Sequence, residues 1–158
     1  MPFPTPFDHY EGKVLPAWID SNDHMNLAYY VLMFDYATDA IYAAFGMDRG
    51  YKAQTNCGTF AAETHILYRQ ELLVGERVRV VSQVLAADAK RVHLAHEMTR
   101  LSDGKSAATQ ELMYLHVDLG RRRVVPWPDW LHARITEAAD AHAALPRPEW
   151  VGRSIAMR

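Results

Sequence analysis

The segment Leu27–Phe45, LAYYVLMFDYATDAIYAAF, constrains this chain more than any other. It is rich in helix formers and holds neither Gly nor Pro, while Asn26 before it suits an N-cap and Gly46 after it supplies a stop. Its firmly polar positions are only Asp35, Thr38 and Asp39. A helix this apolar around its circumference cannot lie on a surface, so the rest of the chain is expected to wrap it.

The wrapping material follows in sequence. Tyr10–Trp18 reads as a first strand, with Pro16 confining it to an edge or a strand end. The stretch MDRGYKAQTNCG after the helix reads as a turn-rich connection. Period-two patterning then predicts strands at Thr59–Tyr68, Arg77–Ala86, Arg91–Leu101 and Lys105–Val117. Ser102-Asp103-Gly104 is a tight hairpin turn, and ELLVGE at Glu71–Glu76 is another connection. Long strands with short loops imply an antiparallel sheet. Beyond Arg121-Arg122-Arg123, PWPDW opens a closing helix at about Asp129–Ala144, and the tail PRPEWVGRSIAMR reads as extended chain. A sheet of this size buries the long helix only by curling round it, and its open edges invite a second subunit. The expected class is α+β, a hotdog fold. In it a curved antiparallel sheet of five to six strands wraps a long central helix, within one domain over residues 1–158.

Composition narrows the partners. The chain has 158 residues, 49% of them hydrophobic, enough for one sizeable core. A net charge of −2 gives no field to attract nucleic acid or an anionic membrane. This length leaves no room for a second, DNA-binding module. Cys57 stands alone, which suits a reducing cytoplasm. No apolar run is long enough to span a bilayer, and the start MPFPTPFDHY lacks the basic and apolar regions of a signal peptide.

Ile19–Tyr30, IDSNDHMNLAYY, resembles the motif of the hotdog thioesterases related to 4-hydroxybenzoyl-CoA thioesterase. AETHILYRQEL at Ala61–Leu72, ADAKRVHLAHEM at Ala87–Met98 and ATQELMYLHVD at Ala108–Asp118 are similar to one branch, the betainyl-CoA thioesterases of carnitine breakdown. The resemblance implies hydrolysis of an acyl-CoA to a free acid and CoA, without metal or redox cofactor, by a homodimer or a dimer of dimers. Asp23 departs from the pattern, standing where a glycine is usual.

Asp20 is the first catalytic candidate, and the resemblance gives the matching aspartate that role. It lies a short polar loop ahead of a helix N-terminus, whose unpaired N–H groups carry partial positive charge. With a thioester carbonyl on the N–H groups around Leu27 and Ala28, Asp20 is placed to attack it or to deprotonate water. The alternative is an Asx turn. His24 and Asn22 are candidates to orient substrate or water, Asn26 is the cap, and Trp18 and Tyr30, with Tyr29, Phe60, Tyr68 and Trp127, are candidate aromatic walls for a cationic acyl group. Glu63 shares a strand face with His65 and is a second candidate base or counter-charge. Lys90 and Arg91 at a turn, or Arg121–Arg123, suit CoA phosphates. His93 and His96, three apart on a strand, face opposite ways and cannot share a metal ion, so no metal site is expected.

Overall fold

The computed structural model describes residues 2–158. Its long helix, α1, spans Leu27–Phe45 with both ends as the sequence requires. Asn26 Oδ1 accepts the Ala28 N–H at 3.0 Å, and Gly46 closes the helix at φ +102°, a left-handed position that a side chain resists.

The sheet is antiparallel with strand order β1-β3-β4-β5-β2. The strands are β1 (Phe7–Lys13), β2 (Cys57–Tyr68), β3 (Arg77–Ala87), β4 (Arg91–Arg100) and β5 (Ser106–Asp118), and a two-residue β6 (Arg123–Val124) pairs with β5. This is the expected hotdog architecture. The inward positions of β3 and β4, Val78, Val80 and Val84 with Val92, Leu94 and Met98, are buried. They form two apolar clusters along α1. Met33 and Phe34 anchor one with Leu72 and Met98; Ile41 and Phe45 anchor the other with Leu94, Leu112 and the closing helix. That helix, α3, spans Asp129–His142 and buries Leu131 and Ile135.

Three expectations change. The first strand lies earlier than Tyr10–Trp18, because the alternating FDHYEGK pairs with β3 and Pro16 opens a 3-10 turn at Pro16–Trp18. Gly12 lets β1 approach α1 closely, since a Cβ there would stand 2.6 Å from Met33 Cε. The connection after α1 contains a helical turn, α2 (Tyr51–Thr55), too short to show a periodic pattern.

The third change concerns α1 itself, which is not wrapped on every side. Leu27, Val31, Asp35 and Asp39 recur at every fourth residue on one exposed stripe, and Leu27 is 62% exposed. Thr38 is buried instead. One sheet covers one side of a helix, and covering the other requires a further layer.

Candidate active site

The loop ahead of α1 is tied into a compact knot. Asp20 N–H donates to His24 O at 3.1 Å, Asp23 N–H donates to Asp20 O at 3.1 Å, and Ile19 bridges Met25. Asp23 takes φ +63°, the conformation that glycine adopts most cheaply. The carboxylate in the usual glycine position therefore leaves the turn regular. Asp20 does form an Asx turn, its Oδ1 accepting the Asn22 N–H at 2.8 Å. That bond fixes one oxygen, and among the described residues no donor holds the other. The structural and chemical readings of Asp20 are compatible, because the turn orients the carboxylate that remains open.

Of the N–H groups at the start of α1, Ala28 donates to the Asn26 side chain and Tyr29 to Asn26 O at 3.1 Å. Leu27 N–H has no acceptor among the described residues. The candidate oxyanion site narrows to that donor, with Asn26 as the residue that shapes it.

The facing wall is the β2–β3 connection. Met25 N–H donates to Leu72 O at 2.7 Å and Tyr30 Oη donates to Gln70 O at 2.9 Å. From behind, Arg100 Nη1 donates to Glu71 O at 2.7 Å, while Asp103 holds the same guanidinium. Between loop and connection lies a cavity of about 420 Å³ lined by Asp20, Asn22, His24, Met25, Leu27, Tyr30, Tyr68, Arg69, Gln70 and Glu71. Burial pushes the Tyr30 hydroxyl up to about 12, so at neutral pH it is a neutral donor held by a carbonyl. The Tyr68 and Tyr30 rings stand perpendicular, centroids 5.3 Å apart and planes at 89°. His24 Nδ1 is buried without a partner among the described residues.

The structure thus gathers Asp20, Asn22, His24, Leu27 and Tyr30 around one cavity. Trp18 is not on its lining. It stacks on Tyr29 at 5.1 Å with the planes within 11°, and its carbonyl accepts the Asn26 N–H. Glu63 is exposed on β2, five residues and thus roughly 17 Å from Tyr68 along the strand, so its own chain does not bring it to the cavity. Lys90 and Arg91 lie at the far end of the sheet, where Asp88 Oδ2 accepts from Arg91 Nε at 2.7 Å. Sequence reasoning missed Arg69, Gln70 and Glu71. Their signal was a polar triplet directly after an apolar strand, but only the fold reveals that it closes back on the Asp20 loop.

Strand parity held for His93 and His96. His93 sits 3.6 Å from Glu111 on the outer face, while His96 points inward and is fully buried. Ser82 Oγ lies 2.7 Å from His96 Nδ1, and Thr38 Oγ1 lies 3.0 Å from Nε2. Thr38 gives its proton to Phe34 O, so Nε2 carries the ring proton and Nδ1 accepts from Ser82. The histidine is neutral and fully paired. Burial drives it down to about 3.

The sequence profile of the Thioesterase-like superfamily matches residues 14–135, which include the whole cavity lining. The chain belongs to this superfamily. It is 40% identical over 148 residues to the betainyl-CoA thioesterase of Pseudomonas aeruginosa, covering 94% of this chain and 93% of that one. It is 32% identical over 148 residues to an L-carnitine dehydrogenase/betainyl-CoA thioesterase of Rhizobium meliloti, covering 94% of this chain but only 30% of that protein. A Staphylococcus aureus protein solved in complex with CoA superposes with a TM-score of 0.89 over the full length of both chains, at 24% identity. That likeness establishes the fold. The enzyme class expected from the motif, thioester hydrolysis, is the class of this superfamily.

Proposed function

We propose that this chain hydrolyses betainyl-CoA to betaine and CoA in the cytoplasm, as a single-domain subunit of a homodimer or a dimer of dimers. One observation supports the chemistry: Asp20, with one carboxylate oxygen that no donor among the described residues holds, and Leu27, whose N–H has no acceptor among them, line the same cavity. The thioester carbonyl accepts from Leu27 N–H at the helix N-terminus, which stabilises the oxyanion as it forms. Asp20 attacks the carbonyl carbon, forming an anhydride that water then opens, or it takes the proton from a water that attacks instead. CoA leaves as the thiolate in either route. Asn22 and His24 border the space that this water occupies. The cationic acyl group is the finer part of the reading, and its support is the 40% identical relative together with tyrosines and a second carboxylate on the cavity wall.

The dimer is supported by the bare stripe of α1 and the unpaired outer edge of β2, whose Phe60–Thr64 run is exposed at five consecutive residues. Antiparallel pairing of two β2 edges through that run sets the Phe60 end of one chain beside the Tyr68 end of the other. In that arrangement Lys90 and Arg91 of the partner subunit serve the CoA phosphates, and Glu63 faces the junction. The test is a panel of acyl-CoAs with a thiol reagent, including short, aromatic and betainyl thioesters. Betainyl-CoA is expected to give the highest kcat/KM. A faster neutral short or aromatic substrate would reassign the acyl group, and binding without thiol release would make the chain a non-catalytic acyl-CoA binder.

A further inference from the structure

We infer that the exposed ring of Tyr68 and the Glu71 carboxylate together hold the quaternary ammonium of the acyl group. This rests on the betainyl reading above and names the residues that enforce it. In betainyl-CoA one methylene separates the quaternary nitrogen from the thioester carbon. The cation therefore has to sit in the cavity that holds Asp20 and Leu27, and its receptor has to be on that lining.

Besides the His24 imidazole, the lining offers two phenol rings. Tyr30 is 4% exposed, its hydroxyl is committed to Gln70 O, and its ring stands perpendicular to that of Tyr68. Tyr68 is 48% exposed at the end of β2, so its ring presents accessible surface. An alkylammonium binds the face of such a ring within about 6 Å of the centroid. The stacked Trp18–Tyr29 pair lies off the lining, its rings turned to each other.

Charge selects the second residue. Besides Asp20, which the reaction uses, the cavity wall carries Glu71, exposed and without an ion pair among the described residues. Its backbone is pinned through Glu71 O to Arg100, so the carboxylate starts from a fixed point on the rim. A quaternary ammonium has no N–H to donate. A ring face plus a nearby carboxylate satisfies it, because both act through charge and neither requires a directed hydrogen bond. Arg69 on the same wall opposes a cation, and Glu71 two residues on offsets it. The Arg69 guanidinium is exposed and has room to turn toward the anionic CoA moiety.

The experiment compares betainyl-CoA with 3,3-dimethylbutanoyl-CoA, which replaces the charged nitrogen by carbon at the same shape. The readout is the ratio of the two kcat/KM values in the wild type and in Tyr68→Leu, Tyr68→Phe and Glu71→Gln. The ratio is expected to fall about 2- to 30-fold in Tyr68→Leu and to survive in Tyr68→Phe, which keeps a ring. In Glu71→Gln it falls several-fold and depends less on ionic strength. Circular dichroism on each variant checks folding, and a ratio between two substrates of one enzyme sample is unaffected by the fraction folded. A high wild-type ratio unchanged in Tyr68→Leu and Glu71→Gln would overturn this assignment and leave the betainyl reading intact. A wild-type ratio near one would remove the betainyl reading and this inference with it.

Discussion

Two polar clusters touch α1, and they are built on opposite principles. Ahead of its N-terminus Asp20 has one oxygen held by a backbone N–H and the other without a donor among the described residues, and it shares a cavity lining with Leu27, whose N–H has no acceptor among them. In its middle His96 has both ring nitrogens matched by hydroxyls, at 2.7 and 3.0 Å, with no exposed surface. The first is anchored and incomplete; the second is complete. A polar group left half-satisfied at a cavity wall is available for chemistry, whereas one fully paired in the core serves only packing and specificity. Residue type alone inverts this ranking, because a buried histidine looks more catalytic than a turn aspartate.

The largest effect that tests the contrast is at Asp20. Asp20→Asn keeps the Asx turn and removes the charge, so kcat is expected to fall about 10²- to 10⁴-fold with little change in melting temperature. A single turnover of the parent enzyme in H₂¹⁸O then tests the anhydride route. Label retained in the Asp20 carboxylate marks an anhydride opened at the Asp20 carbonyl, and label only in the released acid places the water's attack on the acyl carbon. Near-native kcat in the Asn variant would remove Asp20 from the mechanism and break the comparison at its active end.

The mirror-image variant is His96→Leu. It strands the Ser82 hydroxyl in the core, while Thr38 keeps its bond to Phe34 O, and should destabilise the fold by about 1–3 kcal/mol in urea titration. Turnover per folded molecule should stay within about twofold of the parent. A large loss of kcat at full folding would show that the buried cluster reaches the chemistry after all.

The same histidine gives the contrast a pH signature. Its folded-state value, about 3, lies below the ordinary 6.5, so the unfolded chain binds the proton first as pH falls. The stability it contributes is complete above pH 6.5 and is lost progressively from there down toward pH 3. The expected slope is up to about 1.4 kcal/mol per pH unit. His142 adds to it in the same direction, since burial lowers it too and its Nδ1 accepts the Val84 N–H at 2.9 Å. Subtracting the urea-derived profile of His96→Leu from that of the parent isolates the His96 share. Parallel profiles would show that this ring is not protected from protonation.

The smallest effect is at the turn. Asp23→Gly relieves a left-handed backbone while removing only an exposed side chain, and should raise stability by about 0.5–1 kcal/mol. A loss of stability would mean that the Asp23 carboxylate contributes a contact outweighing its backbone cost, and that the Asp20 loop is better anchored than the comparison holds.

The sequence by itself determined the helix and its ends, because capping and stop residues act within a few positions of each other. It determined the inward and outward faces of β3 to β5, because parity is a property of the pleat. It also located Asp20, Asn22, His24 and Leu27, which neighbour one another along the chain. Tertiary structure decided what no local rule reaches. The Arg69–Glu71 connection closes over the Asp20 loop through Met25–Leu72 and Tyr30–Gln70 bonds spanning some forty residues or more. Trp18 turns away to stack on Tyr29, and Glu63 and Arg91 stand apart from the cavity within their own chain. One sheet leaves a stripe of α1 bare, although its composition called for cover on every side. Local rules fix where a side chain points from its own element, and only packing between distant elements fixes what it meets there.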